Sequence, residues 1–233
     1  MQKRLLRWEL IGFAFTGAVG TLLHFVYEWT GGNPLIAAFC AVNESTWEHM
    51  KLLFVPFFLF TMVQFIVFAE PLRSFFAAKA ASILLGLLAI PVLFYSLGGM
   101  FGKTPDWVNI AIFFLADALL YLMSFRLLTR GALRGGAWQL AGFLLLWALA
   151  FAFVFFTYRP IHLPLWQDPT NGLYGLAAAR AGAARRAAAA AAALLAIVLF
   201  FLSALLRQQR RADDACAVAE RTELDARVTH GIA

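Results

Sequence analysis

Ionisable side chains crowd one short stretch, Asn43-Glu44-Ser45-Thr46-Trp47-Glu48-His49-Met50-Lys51, directly ahead of an apolar run at 52–69. Charge is expensive at the edge of a hydrocarbon layer, so this crowding needs a reason. Written as a helix, Glu44, Glu48 and Lys51 fall at i, i+4 and i+7 on one face, with Ser45 and His49 on the neighbouring face. Capping is the plainer reading. Ser45-x-x-Glu48 before an apolar run is a capping box, carboxylates suit a helix N-terminus, and Lys51 can pair with Glu48 at i+3. That explains Glu48, and explains Glu44 and His49 less well. The sharper reading is a pocket in which acids and imidazoles bind a divalent metal, move protons or hold a polar head group.

Other residues fit the same picture. His24 and Glu28 are spaced i, i+4, which is metal-ligand spacing and also the spacing of a simple hydrogen-bonded pair. The set His24, Glu28, Glu44, Glu48 and His49 therefore includes the candidate metal ligands, with a divalent ion such as zinc as the candidate cofactor. His162 and Asp168 lie in the proline-rich segment "RPIHLPLWQDPTNGLYG", where Asp168-Pro169-Thr170-Asn171-Gly172 reads as a tight turn and Asp168 as its cap. Leu165 and Trp166 are expected to dip into the membrane interface. Asp117 stands near the middle of an apolar run with Tyr121 one turn on. A carboxyl at that depth must face the bundle interior, protonated or paired, and Gln64 is its expected partner. It either ties helices together or serves as a proton or head-group site. No HExxH, P-loop, GxGxxG or Ser-His-Asp order is present.

The elements that must hold these residues follow from composition. The chain has 233 residues, 62% of them hydrophobic, well above the level of a soluble domain, so it belongs to the membrane class. Its net charge of +6 does not indicate nucleic acid, because the basic residues flank apolar runs and form no patch. Runs of the length needed to cross a bilayer occur at about 10–27, 52–69, 75–97, 107–128, 137–158 and 187–206. Residues 34–42 are apolar but too short, and suit a re-entrant or interfacial piece. With the N-terminus inside, eleven Lys and Arg residues flank the inner ends and six the outer ends, which places both termini in the cytoplasm. Trp8, Trp29, Trp47, Trp107 and Trp138 fall near span ends, as interfacial tryptophans do. The first apolar run reads as a retained span and not a cleaved leader. Cys40 and Cys216 fall on opposite sides, so no disulfide follows. The tail 208–233 is polar and is expected to be cytoplasmic and partly disordered.

Two strings, "VNESTWEHMKLLFVP" and "HLPLWQDPTNGLYG", resemble signature segments of a family of small multi-pass prokaryotic membrane proteins of unknown function. The resemblance implies a similar six-helix bundle and groups Asn43, Glu44, Glu48, His49, Lys51 and Asp168 in a shared site. It implies no activity.

The expected fold is thus all-α: an integral membrane bundle of six transmembrane helices with both termini cytoplasmic, in the inner membrane of a bacterium. The leading functional reading is a binding or transport protein. Its polar pocket at the non-cytoplasmic mouth would be built from His24, Glu28, Glu44, Glu48, His49 and His162, with Asp117 beneath. A metal-dependent enzyme acting on a lipid or lipid-linked substrate, with Glu44 or Glu48 as base, is the second. An accessory subunit of a larger membrane complex is the third. The bilayer is the expected partner, with a membrane-protein partner or a homo-oligomer as further candidates.

Overall fold

The computed structural model describes residues 2–68, 74–102 and 105–177, all within the first of two units of the chain, Met1–Ala183. The described elements are helices α1 (Gln2–Trp29), α2 (Pro34–Ala37), α3 (Thr46–Phe68), α4 (Phe75–Phe101), α5 (Asp106–Arg130) and α6 (Gly136–Tyr158), followed by a 3-10 turn at Pro164–Trp166. Among the described residues the only β pairing is an isolated bridge between Gln167 and Tyr174. Five helices, all but α2, are long and apolar enough to cross a membrane. The sixth run at 187–206 and the tail 208–233 lie outside the described residues, as does Cys216.

The helices outrun the apolar stretches that predict them. Helix α1 begins at Gln2 and not near residue 10, because Lys3, Arg4 and Arg7 are good helix formers that hold their charged heads in water. Helix α3 begins at Thr46, so Glu48, His49 and Lys51 ride on its first turns while Glu44 stays in the segment before it. Glu44, Glu48 and Lys51 therefore do not share one helical face.

Helix α3 is the central element. Within its most apolar window 56% of residues are buried, against 22–33% in the other four long helices. Helix α1 packs on α3 and α5, and α4 packs on α5 and α6. Leu53, Phe54, Phe57, Ile83, Leu120, Leu146 and Phe153 form the middle of the core. Cross-helix neighbours run in opposite order along α1 and α5, with Thr16 beside Tyr121 and Gly20 beside Phe113, so the two are antiparallel. Small residues allow close approach. A Cβ on Gly142 of α6 would lie 2.6 Å from backbone atoms of Phe76 and Ala77 on α4. The outer faces carry exposed Leu10, Leu88, Ile110, Leu144 and Phe151, as a lipid-facing surface should.

One end of the bundle, here the His49 end, collects the end of α1, α2, the start of α3 and the 159–177 segment. At the opposite, Lys79 end, a buried ion pair joins α1 to α4. Lys79 Nζ lies 2.9 and 3.1 Å from the two Glu9 carboxylate oxygens, and Gln64 Nε2 donates to Glu9 Oε1 at 2.7 Å. This corrects two expectations. Gln64 partners Glu9 and not Asp117, and Lys79 is fully buried and paired, not a surface charge that sets topology. At the same end the Gln139 side-chain carbonyl of α6 accepts from Phe76 N and Ala77 N, covering donors that the first turn of α4 leaves open.

Candidate metal-binding site

Three side chains from separate parts of the chain meet at the His49 end. His24 Nε2 of α1 lies 3.7 Å from Glu44 Oε1, and His49 Nε2 of α3 lies 3.7 Å from Glu44 Oε2. The two imidazole centroids are 5.5 Å apart. One ligand atom from each residue can be chosen so that all lie within 4.8 Å of one another. All three side chains are between a quarter and a third exposed, so the cluster is open to solutes and still shaped by the protein.

His49 is set by its own helix. Its Nδ1 lies 3.0 Å from the Ser45 carbonyl oxygen. A carbonyl only accepts, so Nδ1 carries the hydrogen, and Nε2, which faces Glu44, is the ring atom left to take a metal. Histidine ligands of metals are commonly oriented by such a carbonyl. Glu44 is fixed from behind, since its backbone N–H donates to Asp168 Oδ2 at 3.3 Å.

Glu48 and Lys51 lie beneath the trio and turn inward. Lys51 Nζ is 2.6 Å from Glu48 Oε2 and donates to the Ala37 carbonyl at 2.9 Å and to Thr157 Oγ1 at 2.8 Å. Glu48 also accepts from Val42 N at 3.1 Å. The capping box is half made. Ser45 Oγ accepts from Glu48 N at 3.4 Å, but Ser45 N donates to Asn43 Oδ1 and leaves the Glu48 carboxylate to Lys51. With both side chains almost fully buried, the pair ties α3 to the α2 segment and to α6. Cys40 sits near it, and burial pushes this thiol above its ordinary pKa; Lys51 pulls it down and Glu48 raises it by lesser amounts.

Asn43 and Asp168 lock two loops over this end. Asn43 Nδ2 donates to the Gly175 carbonyl. Asp168, fully buried, accepts from Thr170 N, Thr170 Oγ1, Asn171 Nδ2 and Glu44 N. Trp47 stacks on Trp166 with centroids 4.9 Å apart, and Tyr158 Oη donates to the Pro34 carbonyl. Trp47 is therefore a core residue and not an interfacial anchor, and the partly buried Trp166 covers it. His162 is exposed and packs its ring on Tyr174, apart from the trio. Glu28 is partly buried one turn beyond His24 and is not among the three clustered ligands. His24 faces Glu44, a partner that spacing along α1 could not reveal.

Asp117 lies in the interior on the buried face of α5, with Tyr121 one turn on. Neither Asp117 oxygen has a hydrogen-bond partner, while Tyr121 Oη lies 2.9 Å from Thr16 Oγ1 of α1. Glu9, which shares the Lys79 end, is a polar residue that sequence reasoning missed. A span begun at residue 10 left it outside; a helix begun at Gln2 puts it within.

No curated protein and no solved structure matches this chain. A family model does match, over residues 1–176, which takes in all five long helices and both polar loops. The chain belongs to that family, a family of unknown function (DUF6512).

Proposed function

We propose that this multi-pass membrane protein binds a divalent transition-metal ion at its non-cytoplasmic mouth, through His24, Glu44 and His49. The observation that carries the reading is the convergence of two imidazole Nε2 atoms on the two oxygens of one carboxylate, each at 3.7 Å. Ligands around tetrahedral zinc, with bonds of about 2.0–2.1 Å, stand roughly 3.3 Å apart, against up to 4.8 Å among the three ligand atoms here, so side-chain rotations that close the trio by about an ångström would seat the ion. Two nitrogens and one carboxylate suit Zn²⁺ better than Ca²⁺ or Mg²⁺, which prefer all-oxygen shells. Partial exposure supports capture from solution, and a place on helix ends over a polar interior supports a binding or transport role. Glu48 is held by Lys51, Val42 and Thr157, so an enzyme reading with Glu48 as base has no support from its position.

Zinc titration of the purified protein in detergent tests the proposal, read by calorimetry and by metal content after gel filtration. One ion per chain is expected. His24→Ala, His49→Ala and Glu44→Gln should each weaken it by about 100-fold or more, beyond the 10–100-fold that loss of a supporting group brings. His162→Ala should leave it unchanged. Wild-type protein that retains no metal, or trio variants that bind as the wild type does, would refute the site.

A further inference from the structure

We propose that Asp117 is a proton-binding site inside the bundle, which exchanges its proton with the Lys79 end through Tyr121, Thr16 and the Glu9–Lys79 pair. No atom of the His24–Glu44–His49 cluster takes part, so this inference stands or falls apart from the metal reading.

Geometry links these groups into one seam. Asp117 is fully buried, and neither carboxyl oxygen meets a donor. A Cβ placed on Gly17 of α1 would be 3.6 Å from Asp117 Oδ2, so the carboxyl lies against α1 at that level. The preceding residue, Thr16, shares a hydrogen bond with Tyr121 Oη. The Tyr121 ring continues toward the Lys79 end, where Lys79 Nζ stands 5.6 Å from its centroid and holds Glu9. Along α5, Asp117, Tyr121 and Ser124 repeat at i, i+4 and i+7 on one buried face, and Ser124 Oγ also lacks a partner. The titratable and charged groups along this seam are thus Tyr121 on α5, then Lys79 on α4, which faces the Tyr121 ring, and Glu9 on α1, which Lys79 holds. Helix α3 adds the uncharged Gln64, which donates to Glu9. Toward the His49 end the seam closes, because the rings of Phe113 and Phe114 fill the space at Gly20 and Gly17.

Structural cross-linking alone does not account for Asp117. Interhelical hydrogen bonding, the usual reason for a polar side chain in a membrane helix, would engage at least one oxygen. An unpartnered buried carboxyl instead calls for a proton, and intramembrane carboxyls that take protons serve as relay stations. Tyr121 Oη can both donate and accept, so when the Asp117 carboxyl swings onto it a proton can leave toward Thr16 as another arrives. The Glu9 carboxylate, held by Lys79 and Gln64, is the acceptor at the far end.

Infrared spectroscopy of the protein in lipid, with ¹³C-labelled aspartate, tests the relay. Wild type should show an aspartic carbonyl stretch of a neutral carboxyl that is lost in Asp117→Asn. In heavy water that band should shift as the carboxyl proton is replaced. Tyr121→Phe, which keeps the ring and removes the hydroxyl, should retain the band and slow its shift by about tenfold or more, since positioned proton-transfer groups carry large rate factors. If wild type lacks the band, or Asp117→Asn keeps it, Asp117 is not a proton site. An unchanged shift rate in Tyr121→Phe would overturn the route. Tyr121→Phe reads the route even where Asp117→Asn fails to fold.

Discussion

Lysine is a hard residue to bury, yet Lys51 and Lys79 are both fully inside this bundle. Each is matched by one carboxylate, Glu48 at 2.6 Å and Glu9 at 2.9 Å, and each pair is completed by neutral groups: Thr157 and the Ala37 carbonyl for one, Gln64 for the other. Such pairs contribute little over apolar replacements, but loss of one member leaves a bare charge in a medium that cannot solvate it. Lys51→Met should therefore lower unfolding stability in detergent by about 3–5 kcal/mol, and a Lys51→Met, Glu48→Leu double variant should recover most of the loss. Denaturant unfolding followed by Trp fluorescence checks both. A double variant as unstable as the single one would mean that the pair acts through packing and not through charge. The i+3 spacing of Glu48 and Lys51 made this pair legible in the sequence. Glu9 and Lys79, 70 residues apart, carried no such local signal.

Among the helices, contact distance is set by the smallest residues. Gly142 lets α6 approach α4 until a methyl group would stand 2.6 Å from backbone nitrogen, carbon and oxygen atoms, none of which can turn aside. Gly99, near the exposed end of α4, has nothing within 4 Å of the same position. One substitution should thus have opposite signs. Gly142→Ala should destabilise by about 1–3 kcal/mol through overpacking, whereas Gly99→Ala should gain about 0.5–1 kcal/mol from helix propensity. Thermal unfolding of both variants decides it, and a neutral Gly142→Ala would mean that α4 and α6 can separate at no cost. The apolar runs revealed the five long helices because hydrocarbon length and composition impose them. Their ends were less legible, because Lys3 to Trp8 and Thr46 to Lys51 are helical for reasons of propensity and tertiary pairing that hydropathy does not register. The candidate site was legible only in part. Its residue types stood out at 43–51, but that Glu44 would meet His24 and His49 depended on how α1 and α3 lean together. Asn43 and Asp168 stood out for the same polarity and proved to tie loops.

For the molecule in its bilayer, the two buried lysines sharpen the assignment of sides. Counted by position, Lys51 weighs for the His49 end and Lys79 for the other, but neither reaches water, so neither reports topology. Among the described residues, the exposed basic side chains are then Lys3, Arg4, Arg7, Arg126, Arg130 and Arg134 at the Lys79 end, and Arg159 at the His49 end. By the positive-inside rule that asymmetry supports the proposed orientation, with the Lys79 end in the cytoplasm and the His24–Glu44–His49 cluster outside it. Single cysteines introduced into a Cys40→Ala, Cys216→Ser background check this directly. Leu163→Cys, exposed in the loop over the His49 end, should react with a membrane-impermeant maleimide while the membrane is intact. Gly136→Cys, at the opposite end with open space around it, should react only after the membrane is permeabilised. The reverse pattern would turn the His24–Glu44–His49 cluster toward the cytoplasm, so that the proposed site would meet metal ions at cytoplasmic levels, while the Glu9–Lys79 terminus of the Asp117 seam would face outward.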